Sequence, residues 1–159
     1  MKKERKRMKT KKSPFRLLFL LLLLATSVMA AHAQENLKIN SIFEKYGRQK
    51  GSTMVVFSGE ALDDYKLDKY RSITLPYDTN RSNHIQQCLE EDKKQARKIK
   101  EVISNGIISS GYYQLPDERK RVNRYILFKT GNDGTATLIY MEGGLDSEEL
   151  INKLFIKNK

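Results

Sequence analysis

The sequence predicts an α+β domain: one largely antiparallel five-stranded sheet with helices packed on one face, in the order α-β-β-α-β-β-β-α. Three observations lead there. Two β-rich runs, Val122 to Thr130 and Thr135 to Met141, flank the tetrad Gly131-Asn132-Asp133-Gly134, the pattern of an antiparallel hairpin. Helical and extended patterns do not alternate strictly along the chain, which excludes a doubly wound parallel sheet. A single cysteine, Cys88, cannot form an internal disulfide, so the fold must rest on its apolar core.

Asn36 is placed to cap a first helix, in which Ile39, Ile42, Phe43 and Tyr46 recur at i, i+3, i+4, i+7 and form one apolar face. Gly47 and Gly51 end it. Thr53 to Ser58 is β-branched and aromatic and apolar on both faces, so it reads as a central strand. Ser58 to Asp64 reads as one helical turn carrying Ala61 and Leu62. Tyr70 to Leu75 is the second strand, with Ile73 and Leu75 on one face, and Pro76 stops it by removing a backbone donor.

The spacing predicts the longest helical stretch over Asn80 to Ile103. Ile85, Cys88, Leu89, Ala96, Ile99 and Ile103 share a stripe. The stripe is interrupted at Asp92, where Asp92 and Gln95 have the spacing of a capping box and a second helix can begin. Glu90–Lys94 and Arg97–Glu101 are then i, i+4 pairs on a solvated face. Asn105-Gly106 terminates the helix. Ile107 to Leu115 is a strand stopped by Pro116, followed by the hairpin described above. After Gly143-Gly144, Asp146 and Glu149 make a second capping box. Leu150, Ile151, Leu154 and Phe155 form the buried stripe of a last helix, with Lys153 and Lys157 toward its C-terminal end.

Charge is unevenly placed. The 159 residues carry a net +11, but residues 1–33 hold nine Lys/Arg against one Glu, leaving 21 basic and 18 acidic side chains in the rest. The nearly balanced domain argues against a nucleic-acid protein. The basic stretch Lys2 to Arg16 precedes an unbroken apolar run, Leu17 to Leu24, and small residues ending Ala31-His32-Ala33. That is the pattern of a cleaved secretory signal. The 15 residues from Leu17 to Ala31 fall short of the about 20 that a membrane span needs. The expectation is cleavage before Gln34, with residues 1–33 as signal and residues 34–159 as one domain in the periplasm, or secreted. A start at Met8 would give the same mature chain. No Cys stands near the cleavage site as a lipid acceptor.

Several stretches resemble a family of small exported Bacteroidota proteins of unknown function. They are Asn36 to Gly47, Met54 to Gly59, Tyr70 to Thr74, Cys88 to Asp92, Lys98 to Gly106, Asn123 to Phe128, Leu138 to Met141 and the final Asp-Ser-Glu-Glu segment from Asp146. The resemblance implies an exported α+β domain in a Gram-negative bacterium. It brings no activity and no functional residues.

Residues for chemistry are sparse. No G-x-S-x-G occurs, and Gly106 to Gly111 only looks similar. The one histidine after the leader, His84, lies four residues before Cys88. Such a pair allows a dyad or half a zinc site, but zinc needs more ligands than His84, Cys88 and a carboxylate such as Glu91. Packing of Cys88 with Ile85 and Leu89 is the simpler reading. Asp63, Asp64 and Asp68 lack the glycine and distal glutamate of a calcium loop. No catalytic residue, metal site or cofactor is assigned.

Arg119, Lys120, Arg121 and Arg124 form the one basic patch of the domain. They are the candidate binding residues, for an acidic partner or, peripherally, an anionic membrane surface, with Tyr112 and Tyr113 as an aromatic rim. The leading expectation is an exported, non-enzymatic domain that binds a protein or cell-envelope component. A periplasmic hydrolase-like enzyme with scattered residues is the runner-up. A structural accessory of an envelope complex is the third reading. A deep pocket joining His84 or Cys88 to a carboxylate would favour the enzyme, and an open sheet surface would favour binding.

Overall fold

The alternation of side chains builds a six-stranded sheet in the computed structural model, which describes residues 37–152. Helix α1 (Asn40–Tyr46) leads to β1 (Thr53–Ser58), a 3-10 turn (Gly59–Tyr65), β2 (Leu67–Pro76) and α2 (Thr79–Asp92). Then come β3 (Arg97–Ser104), β4 (Ile107–Arg119), β5 (Val122–Thr130), β6 (Thr135–Gly143) and α3 (Ser147–Ile151). The spatial order is β1-β2-β6-β5-β4-β3, and every neighbouring pair is antiparallel. The α+β class holds; the sheet has six strands rather than five.

The additional strand is β3, and it replaces the second half of the expected long helix. Helix α2 stops at Asp92, and after a short 3-10 turn the backbone of Ala96 is already extended. Ile99, Val102 and Ile103 are β-branched, a type that loses rotamer freedom in a helix and packs well on a pleated surface. Asn105 and Gly106 both have positive φ, 52° and 79°. They form a two-residue hairpin turn between Ser104 and Ile107, not a helix end. The expected i, i+4 pairs give way to Lys93–Glu90 and Lys94–Glu91 on the helix and Lys98–Glu101 on the strand.

Two apolar layers cover the sheet. On one face α1 and α2 bury Ile39, Ile42, Phe43, Tyr46, Ile85, Cys88 and Leu89 against Ile73, Leu75, Tyr113, Ile126, Phe128, Leu138 and Tyr140. On the other face Leu62 from the 3-10 turn and Leu150 from α3 pack with Leu67, Tyr112, Tyr125, Met141 and Leu145. Helical elements therefore occupy both faces, which corrects the expectation of one. Neighbouring residues such as Tyr112 and Tyr113, or Tyr125 and Ile126, divide between the layers as the period of two requires.

The short elements are closed by side chains. Asp78 accepts from the N–H of Arg81 at the start of α2, and Asp146 from that of Glu149 at the start of α3. The second of these is the expected cap. Leu150 is buried and Ile151 packs beside it, while Lys153, Leu154, Phe155 and Lys157 lie outside the described residues, as does Asn36. Helix α1 begins at Asn40, and the turn that leads into it is held from a distance by Asp92, which accepts from the N–H groups of Lys38 and Ile39. Asp92 thus serves α1 and does not cap a helix of its own.

Pro76 is the last residue of β2, and Pro116 sits inside β4 where the register with β5 shifts, so β4 runs on to Arg119. The stretch Thr53 to Ser58 is an edge, not a central strand: β1 has one neighbour, β2, and all six of its residues are exposed.

Candidate functional site

The four basic residues do not form one patch. Arg119 pairs in register with Val122, and Lys120 and Arg121 make the exposed tip of the β4–β5 hairpin, where Arg121 has a φ of 65°. Arg124 is instead buried at 6% exposure. It sits on the face covered by α1 and α2, in line with Ile126 and Phe128, where its guanidinium donates to the carbonyl of Pro116 (2.9 Å) and pairs with Glu118. Its place among the candidate binding residues had implied an exposed side chain. Both faces of β5 are covered, so the period of two could not tell which was open.

Beside it, Glu142 is buried and accepts from the Tyr140 hydroxyl (2.6 Å), with the Lys69 ammonium 3.2 Å away. Arg71 lies between the rings of Phe43 and Tyr140, 4.7 and 5.2 Å from their centroids, and donates to Asn40 Oδ1 (2.6 Å). These groups tie α1 to β2 and β6. Buried charges that are paired and hydrogen-bonded hold geometry rather than offer themselves to a ligand.

His84 and Cys88 share one face of α2, as their spacing requires. Tyr46 Oη lies 3.0 Å from His84 Nδ1, Ser41 Oγ lies 3.2 Å from Nε2, and Ser41 Oγ lies 3.6 Å from Cys88 Sγ. The Ser41 hydroxyl donates to the carbonyl of Lys38 at 2.7 Å. With its proton committed there, Ser41 accepts from Nε2–H, and Nδ1 accepts from Tyr46. Burial, assisted by the Lys45 ammonium, lowers the His84 pKa below its ordinary value, consistent with a neutral ring. Burial likewise raises the Cys88 thiol pKa, outweighing its contact with Ser41 Oγ. A nucleophile needs the opposite: a base free to take its proton, or a stabilised thiolate. The cluster binds α1 to α2.

Tyr113 and Glu101 form a similar tie. Tyr113 lays its ring across Gly111, where a Cβ would stand 2.4 Å from a ring carbon, and donates to Glu101 at 2.6 Å. Among the described residues no group of three or more His, Cys, Asp or Glu side chains is placed to hold a metal ion. Shallow depressions open on the surface among the described residues. One, of about 380 Å³, is lined by Gln95, Arg97, Gln114, Leu115, Pro116 and Asp117. Another, of about 390 Å³, lies along the Gly131–Gly134 turn. Neither includes His84, Cys88 or the basic hairpin tip.

The apolar surface that the core leaves uncovered is concentrated at the sheet edges. On β1, Met54, Val55, Val56 and Phe57 are 38%, 36%, 53% and 48% exposed. On the opposite edge, Val102, Ile103 and Ile107 are also exposed. Sequence reasoning missed β1 as a surface because a strand apolar on both faces is usually an inner one. Its lack of charge was the available signal, since protected edges normally carry charge, proline or a bulge.

Among the described residues no helix is long and apolar enough to cross a membrane. No curated protein matches the chain. A family model described as a family of unknown function (DUF6108) matches residues 26–154. With that match running through every strand and helix described above, the chain belongs to the DUF6108 family.

Proposed function

We propose that the chain is an exported, non-enzymatic domain that binds a protein or another component of the cell envelope through the outer edge of its sheet. The observation that carries this reading is β1: six consecutive residues, Thr53 to Ser58, exposed and uncharged, with one strand neighbour. An exposed strand of this kind offers main-chain donors and acceptors together with apolar side chains, the means by which a sheet takes up a further strand. The commitments of Ser41, His84 and Cys88 to one another and to the backbone support a binding role over catalysis. The basic residues, apolar run and Ala31-His32-Ala33 of the leader support export to the periplasm or beyond.

The test has two parts. N-terminal sequencing of the protein recovered from cells should begin at Gln34, and an intact apolar run would overturn export. A photo-crosslinking amino acid at Val56, activated in intact cells, should yield a discrete adduct, whereas the same group at Asn132 in the far turn should not. No adduct at Val56 would overturn binding through this edge.

A secondary contact with an anionic membrane surface is supported by the exposed positions of Lys120 and Arg121 beside Arg119. Arg124, held inward by Glu118, is not available to it.

A further inference from the structure

We propose that the occupant of the β1 edge is β1 of a second copy of this chain, paired antiparallel about a two-fold axis perpendicular to the sheet. The two six-stranded sheets then become one continuous sheet. The proposal rests on the reading of β1 as a binding edge and names its partner.

The two edges of the sheet differ in what they tolerate. β3 carries Arg97, Lys98, Lys100 and Glu101 within eight residues, and Lys on an edge strand blocks pairing with another chain. β1 reads Thr-Met-Val-Val-Phe-Ser, with no charge, no proline and no bulge in its register with β2. A copy of itself meets this strand without like-charge contact, and its four central side chains are apolar on both faces.

The ends of β1 decide the direction. Arg48 and Lys50 precede it, and Glu60, Asp63 and Asp64 follow it, all exposed. In an antiparallel pair the basic end of one copy comes to the end at which the acidic turn of the other begins. A parallel pair would set basic against basic and acidic against acidic. Opposite charges at this range attract and like charges repel, so the antiparallel arrangement is the one the flanks favour.

Symmetry then restricts the register. A two-fold axis perpendicular to a sheet keeps each face continuous, so residues directly opposite must come from the same face. Met54 and Val56 lie in register with Ile73 and Arg71, on the face of α1; Val55 and Phe57 lie in register with Ser72 and Tyr70, on the other. Two centred registers satisfy this. In one, Val56 faces itself and Val55 faces Phe57 of the copy. In the other, Val55 faces itself and Met54 faces Val56 of the copy. A strand of six residues is about 20 Å long, and such a pair buries less than a standard obligate interface, so the dimer is concentration-dependent.

Sedimentation velocity over a concentration series, on the chain purified from cells, reads the outcome. Wild type should shift from monomer to dimer. Val56→Lys and Val56→Glu should each stay monomeric, with melting equal to that of wild type at concentrations where wild type is monomeric, because this side chain is already exposed, and an equimolar mixture of the two should regain the dimer if Val56 lies on the axis. The pair Val55→Lys and Val55→Glu should do so in the other register. A wild type that is monomeric throughout overturns the proposal, as does a dimer that neither pair of variants affects. The Val56 adduct separates the proposal from the broader reading. An adduct with a different protein would overturn the second copy and keep the binding edge. One at the monomer mass would assign the edge to another segment of the same chain and overturn both. So would no adduct at all.

Discussion

Asp92, the last residue of α2, accepts a hydrogen bond from the backbone N–H of Ile39 at 2.9 Å, across 53 positions of sequence. Its other oxygen accepts from Lys38 N–H at 2.8 Å. Helix α1 has seven residues and no side-chain cap of its own. Helices this short are marginal alone, and Asp92 fixes the turn whose carbonyls accept from the first N–H groups of this one. One carboxylate therefore ends one helix and starts another.

Asp92→Ala should leave the buried Ile39 N–H and the part-buried Lys38 N–H without their acceptor and lower stability by about 1–3 kcal/mol. Asp92→Asn, which keeps one acceptor oxygen, should cost less. Urea denaturation of the two variants beside wild type checks the order. Equal stability of all three would show that α1 is held by its apolar face alone.

Glu101 gives a pH dependence. Burial works to raise its pKa, but hydrogen bonds from Lys98, Tyr113 and Lys93 override this and hold it at about 2, below the ordinary 4.5. An acid whose pKa is lowered in the folded state adds stability that is complete above its unfolded value. That contribution is lost as pH falls from about 4.5 toward 2. Glu101→Gln should therefore be less stable than wild type at pH 7, and the gap should narrow as pH falls below about 4.5 and close only below about 2. A gap that is constant with pH, followed by melting temperature, would contradict the assignment.

Cys88 is 5% exposed and packs with Ile85 and Leu89. A thiol reagent should modify it in the native protein only as fast as the structure opens, and urea should accelerate the reaction. Cys88→Ser should destabilise by about 1–3 kcal/mol, because a hydroxyl replaces an apolar group in a buried site. Immediate labelling without denaturant would show an accessible thiol.

The hairpin tip is tested with anionic lipid vesicles. The chain should co-sediment with them at low salt and be released at high salt, because exposed charges are screened over about 8–10 Å at physiological ionic strength. Lys120→Ala with Arg121→Ala should abolish the binding. Equal sedimentation of variant and wild type at low salt would show that the tip makes no such contact.

Much of the fold was legible in the sequence because its signals are local. The 3.6-residue stripe Ile39, Ile42, Phe43, Tyr46, the hairpin around Gly131–Gly134 and the Asp146 cap all stand where their spacing placed them. Ile99 and Ile103 were misleading, because their four-residue spacing also fits a helix stripe. The Asn105-Gly106 pair fitted both readings, since a helix also ends on one left-handed residue; two consecutive positive φ values make it a hairpin turn. Non-local relations were not legible. Nothing near Asp92 announces Lys38, and nothing near Arg124 announces that Glu118 holds it inward. The exposure of β1 was hidden for the same reason: strand order is decided by β2 choosing β6, far along the chain.

That choice also governs when the sheet can be completed. Ile73 of β2 lies in register with Leu138 of β6, 65 positions later, whereas β3 through β6 are joined by consecutive hairpins. Contacts between distant segments form slowly, because the loop between them must close first. The β3–β6 meander should thus assemble before β2 docks on β6. Ile126→Val should slow refolding in stopped-flow measurements, while Ile73→Val should mainly speed unfolding; the reverse pattern would show the hairpin docking first. A ribosome has finished β2 long before it makes β6. The chain therefore cannot close its sheet until β6, the last strand among the described residues, is available.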